Sequence, residues 1–329
     1  MARVVRFHSL GGPEVLALEN LEVGAPGEGE MRVRIEAIGL NRAEQMFRNG
    51  TYLEQPVLPS TNGYEASAVV EALGAGVSGF AAGDLVSVIP AFSLNKYGVY
   101  ADQAIVPAYA VVKRPEKLSA VAAAAVWMAY LTAYGALIDI GKVGKGDVVI
   151  VPAASSSVGL AAIQIVNSVG GISIAATRTN AKVEMLKGAG AAHVIATAEQ
   201  DLAGEVKAIT DGKGARIAFD PVAGPFVDKL AEALSPGGTL FIYGLLSLAP
   251  TPFPLFPALQ KGLSVRGYTI FEIVANKARL APAVAFITDG LKSGAFTPIV
   301  AKTFPLDQIA DAHRYMESND QLGKIVVTV

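Results

Sequence analysis

The N-terminal third of the chain reads as short runs of alternating apolar and polar residues, such as Met31–Ile38, Ala66–Ala72 and Leu85–Ile89. Turns rich in Gly and Pro separate them, among them Ala25-Pro-Gly-Glu-Gly29 and Gly74-Ala-Gly76. A period of two between turn residues predicts strands with one buried face, so this part is expected to be β-rich. The rhythm then changes. From Val148 onward, near-continuous apolar runs recur at Val148–Val151, Ile172–Thr177, His193–Ala196, Arg216–Asp220, Thr239–Gly244 and Leu263–Thr269. Helical patterns fall between the earlier runs, at Lys182–Lys187, Leu202–Ile209 and Phe226–Leu234. Strands that are apolar throughout are buried on both faces and need helices as cover, so this half predicts a doubly wound α/β fold with a parallel sheet. A long helical stretch, Glu272–Lys292, then leads to a closing strand at Lys324–Val329 that is placed to pair back into the first domain.

Between the two patterns lies Ala120–Ile138, which carries no charged residue and reaches the length of a membrane span. Its interior holds Tyr130, Thr132, Tyr134 and Gly135 in an otherwise soluble pattern, so a buried helix at a domain junction is expected instead. Met1-Ala-Arg-Val-Val-Arg6 alternates like a strand and lacks the apolar core of a secretory leader, which predicts a cytoplasmic protein.

Composition narrows the chemistry. A length of 329 residues suits two domains, and 52% hydrophobic against 17% charged residues suits a well-buried globular chain. With 27 Lys and Arg against 29 Asp and Glu and no long like-charge run, neither a nucleic-acid footprint nor an anionic membrane surface is expected, and the ligand should be a small molecule. Cysteine is absent, which removes thiolate nucleophiles, disulfides and zinc-thiolate sites together. His8, His193 and His313 have no metal-binding spacing, so no metal is expected.

The candidate cofactor seat follows the strand Val148–Val151, where Pro152-Ala-Ala-Ser-Ser-Ser-Val-Gly159 leads into the helix Leu160–Val166. A pyrophosphate needs a tight turn of small residues that opens onto backbone N–H groups at a helix start. The G-x-G-x-x-G pattern is absent and only Gly159 stands in its expected place, so Ser155–Ser157 have two readings, as phosphate donors or as plain helix caps. The next strand ends in Ala176-Thr-Arg-Thr-Asn-Ala-Lys182, which offers no carboxylate to the ribose hydroxyls that an NAD site would bind. Hydroxyls at Thr177 and Thr179 and charges at Arg178 and Lys182 favour a 2′-phosphate, and hence NADPH; as the bland reading, both cations are ordinary solvated charges. A phosphate loop at Gly141–Gly146 fails because it precedes a strand, and a serine hydrolase fails for want of a G-x-S-x-G elbow.

Several segments together carry a family resemblance: Gly39-Leu-Asn-Arg-Ala-Glu44, Gly50-Thr-Tyr52, Gly63-Tyr-Glu65, Ala75-Gly-Val77 with Gly83-Asp84, Leu131-Thr-Ala-Tyr134, Asp220-Pro-Val222 and Gly323-Lys-Ile-Val-Val327. Over nearly its whole length the chain resembles the zinc-independent medium-chain dehydrogenase/reductases, in the NADPH:quinone oxidoreductase (zeta-crystallin-like) branch. The resemblance implies a GroES-like β-barrel catalytic domain at 1–123 and 271–329 and a Rossmann NADPH-binding domain at 124–270. It also implies a site in the cleft between the domains, and a homodimer. Zinc-containing relatives carry Gly-His-Glu and a cysteine where this chain has Gly63-Tyr64-Glu65 and Asn41. The chain departs from its own branch at Ser156 and Ser157, where glycines are usual.

What the resemblance implies for function is hydride transfer from NADPH to a quinone or an activated C=C bond of a small apolar acceptor. Without a metal, a hydrogen-bond donor must stabilise the negative charge that grows on the acceptor oxygen. Tyr52 matches a tyrosine that polarises a carbonyl or delivers a proton in related enoyl-thioester reductases, and Asn41 matches a residue near the nicotinamide. A second role is open to Tyr52, that of an aromatic lining with protons drawn from water. Cofactor contacts are implied at Asn41, Thr132, Ser156, Ser157, Val158, Thr177, Arg178, Lys182, Val222, Gly244, Leu245, Phe271 and Lys324, while Glu65 belongs to the fold or to a polar network. Loops Ala91–Val99 and Leu246–Leu259 are expected to shape an apolar pocket. The competing readings are a non-catalytic NADPH-binding member with a structural or RNA-binding role, and an alcohol dehydrogenase or enoyl-thioester reductase.

Overall fold

Alternation along Glu30–Gly39 buries Met31, Val33, Ile35 and Ala37 on one side, and the largest sheet of the computed structural model grows from this strand. All 329 residues are described. One edge of Glu30–Gly39 pairs antiparallel with Glu65–Leu73, and Leu85–Val88 and Val111–Lys113 continue the sheet beyond it. The other edge is shared: Gln103–Pro107 takes residues 30–34, and the closing strand Lys324–Thr328 takes residues 37–39. Val300–Pro305 then adds in parallel outside Lys324–Thr328. Gly39 permits the close packing of this corner, because a Cβ there would lie 1.9 Å from the Ala124 carbonyl oxygen.

The second sheet is parallel throughout, in the order His193–Ala196, Ile172–Thr177, Val148–Val151, Ala215–Asp220, Leu234–Ile242, Ser264–Gly267. The chain starts at Val148–Val151 and winds outward both ways, so the strand order reverses between Val148–Val151 and Ala215–Asp220. That switch point is where doubly wound sheets open a crevice at their carboxyl ends. Helices Ser157–Ser168, Val183–Gly188, Leu202–Ile209 and Phe226–Ala233 make the crossovers. Their apolar residues meet the strands in a core of Ile150, Ile174, Ile195, Val206, Ala218, Val227, Leu230 and Leu240.

The chain divides into two units, Met1–Met128 with Pro298–Val329, and Ala129–Thr297. These divisions lie after the 123/124 and 270/271 that the family resemblance implies. Lys277–Ser293 belongs with the parallel sheet because Phe286 and Phe296 pack on Tyr134 and Tyr130, each pair at 5.2 Å between ring centroids. The expected single helix Glu272–Lys292 is broken into Phe271–Val274 and Lys277–Ser293, since the Asn276 side chain accepts from the Ala278 N–H and starts a new helix. The nucleotide helix begins at Ser157, earlier than Leu160. Ala120–Ile140 is helical in three pieces and is long and apolar enough to cross a membrane, yet 83% of its apolar window is buried inside the protein, as in a core helix.

Leu230 is fully buried in the parallel-sheet core. Leu230→Ala is expected to lower the unfolding free energy by about 2–5 kcal/mol, read from urea titration of the purified chain; a change under about 1 kcal/mol would contradict the packing described.

Candidate active site

In the first unit the site is built around the start of the helix Arg42–Arg48. Asn41 precedes it, and its backbone N–H donates to Glu44 Oε2 at 2.7 Å, one half of a capping box. The Asn41 amide nitrogen donates to Gly39 O at 3.1 Å and to Glu44 Oε1 at 3.0 Å, while its Oδ1 accepts from Lys324 Nζ at 2.5 Å. Lys324 also pairs with Glu65, both residues 1% exposed, and the other Glu65 oxygen accepts from the Met128 N–H at 3.0 Å. Asn41 and Lys324, far apart in sequence, thus meet in one buried network, and Glu65 belongs to it.

Glu44 was not singled out by the sequence, where it reads as one more helix carboxylate. Its carboxylate is fully buried and also accepts from the Tyr64 N–H at 2.9 Å and the Tyr100 hydroxyl at 2.7 Å. Burial raises its pKa, and the hydrogen bonds from Asn41, Tyr100 and Tyr64 oppose that rise. Behind Tyr100 sits His313, with Nε2 at 3.0 Å from the hydroxyl and Nδ1 at 2.8 Å from Arg48 Nη1. The guanidinium can only donate, so Nδ1 accepts and the ring proton lies on Nε2. Burial, with the Arg48 and Arg42 charges, holds His313 down to about 3, hence neutral.

Tyr52 lies in the loop after this helix, its ring 6.3 Å from that of Tyr64 in an edge arrangement. Burial pushes the Tyr52 hydroxyl up to about 12, with Glu44 and Glu54 adding to the rise, so it stays protonated and able to donate. The loop is pinned from one side: Glu54 accepts from Ser93 Oγ, from the Leu94 N–H at 3.2 Å and from Asn95 Nδ2 at 2.9 Å. Asn95 Oδ1 in turn accepts from the Val57 N–H at 2.7 Å.

In the second unit several of the remaining candidates follow the carboxyl ends of the parallel strands. Ser156 caps the helix Ser157–Ser168, accepting from the Gly159 N–H at 3.1 Å. A Cβ on Gly159 would stand 2.7 Å from both Ala154 Cα and the Ala154 oxygen, so only glycine lets the helix start lie this close to the strand. The Ser155 hydroxyl lies 3.3 Å from Lys182 Nζ and joins the turn to the segment after the second strand, a contact the sequence does not reveal. Ser157 and Val158 open the helix, where the first N–H groups have no partner within it. Thr177 ends its strand and Arg178 follows it, exposed. The carboxylate absent from that strand arrives from the next connection instead: Glu199 accepts from the Asn180 N–H at 3.0 Å and from its side-chain amide.

Val222 and the Gly244-Leu245 pair are brought together as their loops close on each other. Ser247 N–H donates to Val222 O at 2.8 Å, and a Gly244 Cβ would meet Pro221 O at 2.8 Å. Asp220 shapes the first of these loops by accepting from the Val222 and Ala223 N–H groups at 2.8 and 2.9 Å, and burial raises its carboxyl to about 6. Thr132 and Phe271 lie on segments in contact, since a Cβ on Gly135 would stand 2.5 Å from Ile273 Cγ1. This unit therefore fits a dinucleotide: a glycine cradle, a capped helix start, and a lysine and an arginine after the second strand.

Because His313 is held neutral and its proton uptake would break this network, stability should fall as pH drops from about 6.5 toward 3. Burial of Glu44 and Asp220 acts in the opposite direction, so the test is the difference between wild type and His313→Gln in denaturant titrations from pH 7 to 4. The variant should lose less stability on acidification than wild type; equal losses would show that His313 does not carry this dependence.

Residues 27–116 match the alcohol dehydrogenase GroES-like domain family, and residues 157–289 match the zinc-binding dehydrogenase family. Zinc does not fit this chain: it has no cysteine, and no group of three His, Asp or Glu side chains is gathered that could hold an ion. The chain is 31% identical over 335 residues to a 2-haloacrylate reductase of a Burkholderia species, covering 99% of this chain and 98% of that protein. It is also 31% identical to the human quinone oxidoreductase, again over 99% of this chain and 98% of the relative. The solved structure of Escherichia coli quinone oxidoreductase in complex with NADPH is similar over 100% of both chains, with a TM-score of 0.92 at 30% identity. The chain belongs to the medium-chain dehydrogenase/reductase superfamily of oxidoreductases, in the branch that holds the quinone oxidoreductases and the 2-haloacrylate reductase.

Proposed function

We propose that the chain is an NADPH-dependent reductase that passes hydride to a quinone or to an electron-poor carbon–carbon double bond in a small apolar acceptor. The observation that carries the cofactor half is the segment after the second strand, where Thr177, Arg178 and Lys182 stand without a carboxylate on the strand end and Lys182 reaches Ser155. Arg and Lys hold a 2′-phosphate through charge-assisted hydrogen bonds. Gly159, Ser156, Ser157 and Val158 would hold the pyrophosphate at the helix start, and Val222, Gly244, Leu245, Thr132 and Phe271 would border the rest of the dinucleotide. NADPH, when bound, supplies the hydride.

The acceptor half rests on Tyr52. A hydroxyl with its pKa at about 12 remains protonated at any working pH, so Oη–H can donate to the acceptor oxygen as negative charge grows there. The Tyr52 ring packs 6.3 Å from that of Tyr64, which in turn lies 5.8 Å from Phe92, so buried aromatic packing holds the Tyr52 side chain in place. Relatives named quinone oxidoreductase and 2-haloacrylate reductase support the same two acceptor classes.

A homodimer and a cytoplasmic location are parts of the reading. The dimer is supported by the exposed apolar side chains Leu248 at 88%, Phe256 at 74% and Leu259 at 73%, on the segment that precedes the edge strand Ser264–Gly267.

Steady-state assays with NADPH against a panel of quinones, enones and 2-haloacrylates test the activity, and no turnover with any of them would sink it. Tyr52→Phe should lower kcat by about 100-fold while NADPH binding, followed by fluorescence, stays within about twofold. An unchanged kcat would reduce Tyr52 to a lining residue. Replacing Arg178 and Lys182 together by Ala should raise the KM for NADPH by about tenfold or more and leave that for NADH nearly unchanged; equal effects on both cofactors would refute the 2′-phosphate assignment.

A further inference from the structure

Asn41 is the residue of the first unit whose hydrogen-bonding capacity can be counted. A side-chain amide has two N–H donors, and here the nitrogen already donates to Gly39 O and Glu44 Oε1. Its oxygen faces the Lys324 ammonium. Turning the amide over would set its NH2 group against that ammonium and its oxygen against the Glu44 carboxylate, two repulsive contacts in place of two attractive ones. The orientation is therefore dictated by a buried anion on one side and a buried cation on the other, with Asn41 itself only 7% exposed.

We infer that Glu44 is a positioning residue for the reaction: with Lys324 opposite, its carboxylate locks the Asn41 amide so that Asn41 meets a bound ligand as a hydrogen-bond acceptor and never as a donor. This rests on the reading of Asn41 and Tyr52 as the first unit's contribution to the active site. The ligand group that Asn41 can serve is then an N–H or O–H donor, and the oxyanion that forms during reduction is left to the Tyr52 hydroxyl. Glu44 ties the two together, since the same carboxylate that orients Asn41 accepts from the backbone of Tyr64, the ring neighbour of Tyr52.

All four contacts to the Glu44 carboxylate are donated to it: Asn41 N and Nδ2, Tyr64 N and the Tyr100 hydroxyl. Of these only the Tyr100 hydroxyl can turn round and accept. Glu44→Gln thus removes the charge and opposes an NH2 group to at least one donor. Glu44→Asp keeps the charge but withdraws it by one methylene, out of reach of some of the four.

The test is a double-mutant cycle with the full-length enzyme, in which kcat is measured with NADPH and a quinone for wild type, Glu44→Gln, Asn41→Ala and the double variant. Glu44→Gln should lower kcat by about tenfold or more with its melting transition retained, and the double variant should be within about twofold of Asn41→Ala alone. A loss under about twofold, or losses that multiply in the double variant, would show that Glu44 acts elsewhere in the fold and overturn the inference. Should Glu44→Gln not fold, Glu44→Asp takes its place in the cycle. Should wild type turn over no acceptor at all, the functional reading fails by itself, and the crystal structure of Glu44→Asp still decides this one. An Asn41 side chain moved out of hydrogen-bond reach of residue 44 supports the lock, and an unmoved one refutes it.

Discussion

A carboxylate and an ammonium taken out of water each lose several kcal/mol of hydration, and their mutual attraction repays this only when every remaining donor and acceptor is also engaged. Around the Glu65–Lys324 pair, Asn41 Oδ1 also accepts from the lysine and the Met128 N–H donates to the second carboxylate oxygen. Much of the first unit is arranged around it. The closing strand must pair with residues 37–39 to deliver Lys324, and Gly39 must lack a side chain because Lys324 Cε and Glu65 Cγ lie 2.7 and 3.0 Å from where its Cβ would be. Asn41 must stand at the start of its helix because its oxygen accepts from the lysine there. Removing either ion alone would leave the other buried without its counter-charge.

The candidate residues of the two units use charge in opposite ways. In the first unit the ions are buried and saturated by one another, which gives orientation but leaves little charge to offer a ligand. In the second, Arg178 is exposed, Lys182 is half-buried, and the helix start at Ser157 opens on a strained turn: Ala153 holds a φ of 46°, a left-handed conformation that costs a residue with a Cβ about 1–2 kcal/mol. Strain of that kind persists where the surroundings over-determine the backbone, and here Gly159 and the Ser156 cap do so. One half is shaped to hold a side chain still, the other to receive a phosphate.

The parallel sheet was legible because an apolar run bounded by helix periodicity is local information, and so was the turn, since its strand and helix flank it directly. Tyr52 and Asn41 were singled out through the family resemblance, and the segment Thr177–Lys182 through its place at the end of the second strand. What the sequence did not reveal was partnership across distance. Nothing near Glu44 announces Tyr100 or His313, and nothing near Asn180 announces Glu199, because hydrogen-bond partners 19 to 213 residues away leave no periodic trace. The break at Ala275-Asn276 was hidden for a different reason: its flanks are both helical, and one capping asparagine outweighs the continuous pattern.

The first unit is discontinuous, closed by Pro298–Val329, whereas the second runs uninterrupted from Ala129 to Thr297. During synthesis the parallel-sheet unit is complete as soon as Thr297 has cleared the ribosome, while the earlier residues still wait for their lysine. Until then Glu65 is a lone carboxylate on a nascent strand with no cation to meet it. The order of birth along the polypeptide is thus reversed in the order of completion, and the cofactor-binding half can mature before the half that would carry Tyr52.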